Sequence, residues 1–175
     1  VYKRQKYIDI LERSLYNGAL AGISLGGDRF FYVNPLESKG DHHRQEWYGC
    51  ACCPSQLSRF LPSIGNYIYA SSDDALWVNL YIGNTGQIRI GETDILLTQE
   101  TDYPWDGSVK LTISTSQPLE KEIRLRIPNW CKTYDLSING KRINVSEKKG
   151  YAVIKDWKSH CLLYTSPSPR DPKTS

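Results

Sequence analysis

Tyr134-Asp135-Leu136-Ser137-Ile138-Asn139-Gly140-Lys141-Arg142-Ile143-Asn144-Val145 decides the fold of most of this chain. Apolar residues alternate up to Ile138 and again at Ile143 and Val145, the period of a half-buried strand. Asn139-Gly140 accepts the two positive φ angles of a type I′ turn, so the stretch predicts a hairpin of strands 134–138 and 142–145. Working outward, the period of two recurs at 76–82, 87–90, 94–99, 108–114 and 122–127, and after the hairpin at 151–155. Gly83-Asn84, Asp106-Gly107 and Pro128-Asn129 punctuate these runs. Eight short strands at such spacing predict an antiparallel β-sandwich.

Before about residue 70 the pattern is different. Residues 7–20 place Ile8, Leu11, Leu15 and Ala19 at helical spacing, with Gly22 as a stop. Residues 29–33 (RFFYV) read as a short strand closed by Asn34-Pro35, and 36–47 as a polar loop carrying His42-His43-Arg44. Pro54 suits the first turn of a second helix. Its continuation over 56–64 lines up Leu57, Phe60, Leu61 and Ile64, against the grain of Pro62. The fold class is thus α+β, a helical segment over 6–70 followed by a sandwich over 71–160, and no internal repeat is evident.

Both ends read as translated sequencing adapter. Val1-Tyr2-Lys3-Arg4-Gln5 can be encoded by GTGTATAAGAGACAG, whose reverse complement, read from its second base, gives Cys-Leu-Leu-Tyr-Thr. Those residues stand at Cys161-Leu162-Leu163-Tyr164-Thr165. An inverted DNA repeat around an insert is the mark of transposon-adapter ligation, so residues 1–5 and 161–175 are set aside. The competing reading is a natural Ser/Pro tail. Four of the 22 basic residues (Lys3, Arg4, Arg170, Lys173) and one of the 19 acidic ones (Asp171) fall in these ends. The remaining body carries 18 of each, and its zero net charge argues against nucleic acid or an anionic membrane as partner. No apolar run is long enough to span a bilayer.

Setting aside Cys161 leaves Cys50, Cys52, Cys53 and Cys131. Three of them crowd into Cys50-Ala51-Cys52-Cys53-Pro54, an arrangement unlike an extracellular disulfide framework. A reducing, cytoplasmic setting is the expectation. Adjacent cysteines do not form an unstrained disulfide with each other. The cluster therefore suits a soft metal such as zinc, or a reactive thiolate, with ordinary burial as the plain alternative. Cys52 and Cys53 reach one ion only if the backbone turns there, and further ligands must come from elsewhere. His42 and His43 fit a solvated loop as well as a site, and neither is assigned.

On these residues the body resembles glycoside hydrolase family 127, the β-L-arabinofuranosidase family. The stretches that carry the resemblance are Leu11-Glu12-Arg13-Ser14-Leu15-Tyr16-Asn17, Phe31-Tyr32-Val33-Asn34-Pro35-Leu36, Trp47-Tyr48-Gly49-Cys50-Ala51-Cys52-Cys53-Pro54 and Arg59-Phe60-Leu61-Pro62-Ser63-Ile64. Gln99-Glu100-Thr101-Asp102-Tyr103-Pro104-Trp105 and Leu125-Arg126-Ile127-Pro128-Asn129-Trp130-Cys131 continue it. Gln56 departs from the family's usual Asn.

The resemblance implies the end of an (α/α)6 barrel followed by β-sandwich domains. It also implies a zinc-dependent retaining glycosidase acting on an arabinofuranoside-containing glycan. By motif position Cys52 would be both nucleophile and Zn2+ ligand, and Cys53 a second ligand. The remaining ligands, in a Glu-x-Cys motif, and the glutamate acid/base would lie upstream of this sequence. The 175-residue chain alone is then expected to be inactive and to bind zinc weakly. Cys50 receives no role.

Three alternatives stand beside this reading. One is a sister hydrolase for another sugar. Another is a sandwich serving carbohydrate binding or a homodimer, with Trp77 or Trp105 as a stacking platform. Against it, so large a ring is more often core than platform. The third is a redox or zinc-storage protein.

Overall fold

The computed structural model describes residues 5–50, 52–116, 121–155 and the backbone of 162–167. The chain divides into two compact units, one running from Asp9 to Asn66, the other from Tyr67 onward with residues 5–8.

The helix α1 (Gln5–Ser14), which enters the first unit at Asp9, continues as a π-helical turn, Leu15–Ala19, and a 3-10 turn, Leu20–Gly22. The expected helix and its stop at Gly22 are both present, but the buried face differs from the apolar spacing. Ile8 and Leu15 are buried, and so are the acidic Asp9 and Glu12, whereas Leu11 is half-buried.

The strand expected over 29–33 does not form. Only Phe30 bridges, to Ile23 and to Gln45, with Phe30 N donating to Gln45 O at 2.9 Å and Gln45 N to Phe30 O at 3.0 Å. Two local causes stop the ladder. The Val33 carbonyl is engaged at 2.7 Å by the His42 ring nitrogen Nε2 rather than by a neighbouring strand, and Pro35 has no N–H to offer.

The second helix, α2 (Cys52–Ser63), starts two residues before Pro54 and includes Pro62 near its end. Pro54 then lies in the first turn, where a missing N–H costs nothing. Leu57, Phe60 and Ile64 are half-buried, and no residue of α2 is fully buried. A four-residue α3 (Gly65–Ile68) follows.

The second unit is a two-sheet sandwich of β1 (Tyr69–Ser71), β2 (Ala75–Val78), β3 (Asn84–Ile90), β4 (Thr93–Thr101), β5 (Val109–Thr115) and β6 (Glu122–Arg126). It continues with β7 (Tyr134–Ile138), β8 (Lys141–Ile143), β9 (Ser146–Lys148), β10 (Tyr151–Ile154) and β11 (Leu162–Pro167). One sheet has the order β1-β2-β6-β10-β9 and the other β3-β4-β5-β11-β7-β8. The eight strands predicted for the sandwich all recur, with shifted ends. β1, β9 and β11 were not foreseen.

One pairing departs from the antiparallel expectation. β2 and β6 run parallel, Ala75 opposite Glu122 and Val78 opposite Leu125. The chain between them builds β3, β4 and β5 in the other sheet, a crossover long enough for a parallel pair.

Both sheets contribute to one core. Leu76, Val78, Ile123, Leu125, Ala152 and Ile154 come from the first, and Ile90, Ile95, Leu97, Val109, Leu111 and Ile113 from the second. Each of these Leu, Val and Ile side chains contributes roughly 1.5–3 kcal/mol of transfer free energy on burial. Beneath the first sheet Trp77 is only 6% exposed, clustered with Ala75 and Tyr151, with the Arg124 guanidinium 4.8 Å from its ring. Trp77 is therefore core and not a platform.

Near one end of β6 the fully buried Arg126 donates from Nε to Asn79 O at 2.5 Å, and Tyr151 OH donates to Asn79 Oδ1 at 2.8 Å. Gln5, placed by sequence in the adapter-derived end, donates from Nε2 to Ile127 O at 2.5 Å.

Candidate thiolate site

The cysteine loop is positioned by the start of α2. Cys50 is exposed in coil, while Cys52 (exposed) and Cys53 (half-buried) occupy the first helical turn, and all three thiols are free. Ser55 Oγ donates to Cys52 O at 2.8 Å and Ser58 Oγ to Pro54 O at 2.8 Å, fastening that turn. The helical turn resolves how neighbours in sequence can converge, because Cys52 Sγ and Cys53 Sγ lie 3.9 Å apart.

That spacing fits a shared metal. Two thiolates at Zn–S bonds of ~2.3 Å and a tetrahedral angle stand about 3.8 Å apart. The fit covers two ligands only. Among the described residues no group of three His, Cys, Asp or Glu side chains converges to hold an ion.

Sequence reasoning missed Tyr32. Its phenol lies beside Cys52 and within the field of Cys50 and Cys53. The negative charge of Cys52 and then Cys50 raises its pKa above the usual 10.0. Phe30 and Tyr32, two apart in sequence, both meet the ring of Tyr48, at 5.3 Å and 5.7 Å between centroids. Tyr48 itself stands just before the cysteines, which is the signal that links the two stretches.

The histidines go elsewhere. His42 stacks on Phe31 at 4.9 Å and engages Val33 O. Arg44 covers Phe31 at 4.5 Å and donates from Nη2 to Ala21 O at 2.5 Å. These contacts make His42 a support of the loop that carries Tyr32. His43 is exposed.

Comparison with known proteins matches residues 1–66 to the catalytic-domain model of the GH127 β-L-arabinofuranosidases, and residues 75–162 to the GH127 middle-domain model. The chain belongs to glycoside hydrolase family 127. It is 37% identical over 166 residues to the non-reducing end β-L-arabinofuranosidase of Bifidobacterium longum subsp. longum. That match covers 85% of this chain and 25% of the relative. Among solved structures, the GH127 β-L-arabinofuranosidase of Geobacillus stearothermophilus T6 superimposes with a TM-score of 0.84 at 42% identity. It covers 94% of this chain and 28% of its own. A second GH127 β-arabinofuranosidase gives 0.86 at 39% identity, covering 94% and 29%. The GH127 chain thus spans about a quarter of the length of the relatives it matches. Among its described residues no helix is long and apolar enough to cross a membrane.

Proposed function

We propose that this chain is part of a retaining glycosidase that removes non-reducing-end β-L-arabinofuranosyl groups, with Cys52 as nucleophile. The single observation that carries this is the 3.9 Å pair of thiols on the first turn of α2, inside the stretch that matches the GH127 catalytic domain. Residues 6–70 are then the closing segment of an (α/α)6 barrel. Thiols clustered at Cys50, Cys52 and Cys53 suit a reducing compartment.

Cys52 and Cys53 would hold Zn2+ together with ligands from outside these residues. Bound zinc would keep the thiols deprotonated near neutral pH, where a lone thiol of pKa ~8.5 is mostly protonated. In the first step Cys52 Sγ attacks the anomeric carbon while the leaving oxygen takes a proton from an acid outside this chain. A thioglycosidic bond forms as the glycosidic bond breaks. Water then attacks the same carbon from the other face, giving its proton to the conjugate base of that acid, and the sulfur leaves with its electron pair. Two inversions give retention. Tyr32, set beside Cys52, would steady the sulfur as it approaches.

The test is to compare the complete enzyme carrying this sequence with its Cys52→Ser variant on a chromogenic β-L-arabinofuranoside. Turnover should fall by at least ~10³-fold in the variant, within the range that loss of a nucleophile costs. An arabinosyl adduct should appear on Cys52 by mass spectrometry of the wild type. A variant as fast as wild type, or an adduct on another residue, would overturn the reading.

A further inference from the structure

Cys50 is the thiol of the cluster that the reaction leaves without a role. It lies in coil two residues before Cys52, outside the helical turn that holds Cys52 and Cys53. Among the described residues it does not join that pair in a three-ligand group. Both Cys50 and Cys52 nevertheless bear on one phenol. The charge of Cys50 acts on Tyr32 more strongly than that of Cys53, second only to Cys52.

Bond geometry favours Cys50 over Cys53 as a disulfide partner for Cys52. Adjacent Cα atoms stand about 3.8 Å apart across a trans peptide, short of the roughly 4.4–6.8 Å that an ordinary disulfide spans. The 3.9 Å between Cys52 Sγ and Cys53 Sγ therefore suits sharing an ion, not closing a bond. Residues two apart reach up to about 7 Å, a range that contains the disulfide window. Cys50 is in coil, so its dihedrals can adjust without breaking a turn of α2.

We propose that Cys50 is a resolving thiol, which closes a reversible disulfide onto Cys52 when hydrogen peroxide oxidises the nucleophile. Cys52 Sγ attacks one peroxide oxygen, the O–O bond breaks, and a sulfenic acid and one water form. Cys50 Sγ then attacks the sulfenic sulfur. The S–S bond forms, the S–O bond breaks, and the hydroxide leaves as water with the Cys50 proton. The two thiols lose two electrons and two protons, and the peroxide becomes two waters. A dithiol reverses the step by exchange. The inference rests on the nucleophile reading for access. A sulfur that a sugar and then water must reach is open to an oxidant little larger than water, whatever else of the enzyme surrounds the loop. In a reducing compartment such a bond is transient, and it keeps Cys52 from the irreversible sulfinic and sulfonic states.

The test treats the complete enzyme carrying this sequence with hydrogen peroxide, alkylates the remaining thiols and maps the peptide holding Cys50, Cys52 and Cys53 by mass spectrometry. In the wild type that peptide should lose two hydrogens and keep one alkylated thiol. Cys53→Ser should still form the bond, whereas Cys50→Ser should carry sulfinic acid on Cys52. Before treatment Cys50→Ser should turn over as wild type does. After peroxide and then dithiothreitol, wild type should regain most of its activity and Cys50→Ser little. A disulfide formed as readily in Cys50→Ser, or equal recovery by both proteins, overturns the proposal. So does a wild type whose Cys52 goes straight to sulfinic acid or pairs with Cys131. The mapping reads sulfur chemistry without turnover. If Cys52→Ser proves active, a mapped bond between Cys50 and Cys52 still stands; if the arabinosyl adduct forms and the disulfide does not, only this inference falls.

Discussion

Tyr69 shows how one polar group can be tied into the edge of an apolar core. Its hydroxyl accepts from Gln99 Nε2 at 2.9 Å and donates to Asn84 Oδ1 at 3.1 Å, and burial pushes its pKa up from 10.0 to about 12. A phenol with a raised folded-state pKa favours the native state while it is neutral. Its contribution is fully present below pH 10 and is lost as pH rises through about 12. Tyr69→Phe should lower stability at pH 8 by about 1 kcal/mol, the net value of a lost hydrogen bond. It should also flatten the fall in urea midpoint between pH 10 and 12 relative to wild type. An identical alkaline fall in both proteins would place that titration on another residue. At this scale the sequence showed the cysteines plainly, because clustered thiols are rare. It hid Tyr32, whose meeting with Cys52 depends on how the segment around Phe30 folds back towards Tyr48.

The hairpins were the most legible elements. Asn139 and Gly140 have φ of 50° and 75°, and Ile138 pairs with Lys141, as a two-residue I′ turn requires. Gly140→Ala should cost about 1 kcal/mol, since a Cβ meets no neighbour there but strains the left-handed backbone. Thermal denaturation would check this, and an unchanged Tm would mean that the turn rearranges. The same geometry recurs at Lys149 and Gly150 (φ 55° and 79°), where Lys at the first position concealed it. Two other features were out of reach for physical reasons. The parallel β2–β6 pair joins residues far apart in sequence, which periodicity does not register. The start of α2 at Cys52 is set by where backbone groups find partners, and Pro54 marks the first turn without fixing its first residue.

For the molecule as a whole, the period of two from residue 75 onward foretold a sandwich, and the two sheets share the core it implied. The sandwich was expected to stop at residue 160, with 161–175 set aside as adapter-derived. The backbone of β11 nevertheless runs antiparallel to both β5 and β7, Leu162 opposite Thr112 and Thr165 opposite Leu136. Whatever the origin of Leu162-Leu163-Tyr164-Thr165, β-forming residues suit a slot offering two rows of unpaired backbone groups. Removing residues 162–175 should lower the urea midpoint and raise light scattering, because β5 and β7 become open edges. Unchanged values would show that the two halves of the sheet close on each other without it.

The pairing of β2 with β6 also governs the order of events when the chain is made. The hairpin β3–β4 is complete as soon as its own residues exist, yet β2 waits for a strand translated after three others. During that interval one edge of β2 stands exposed to other nascent chains. Pairings of such long sequence separation are slow to form. The growing polypeptide thus passes through a stage in which a chaperone has more to shield than the finished fold suggests.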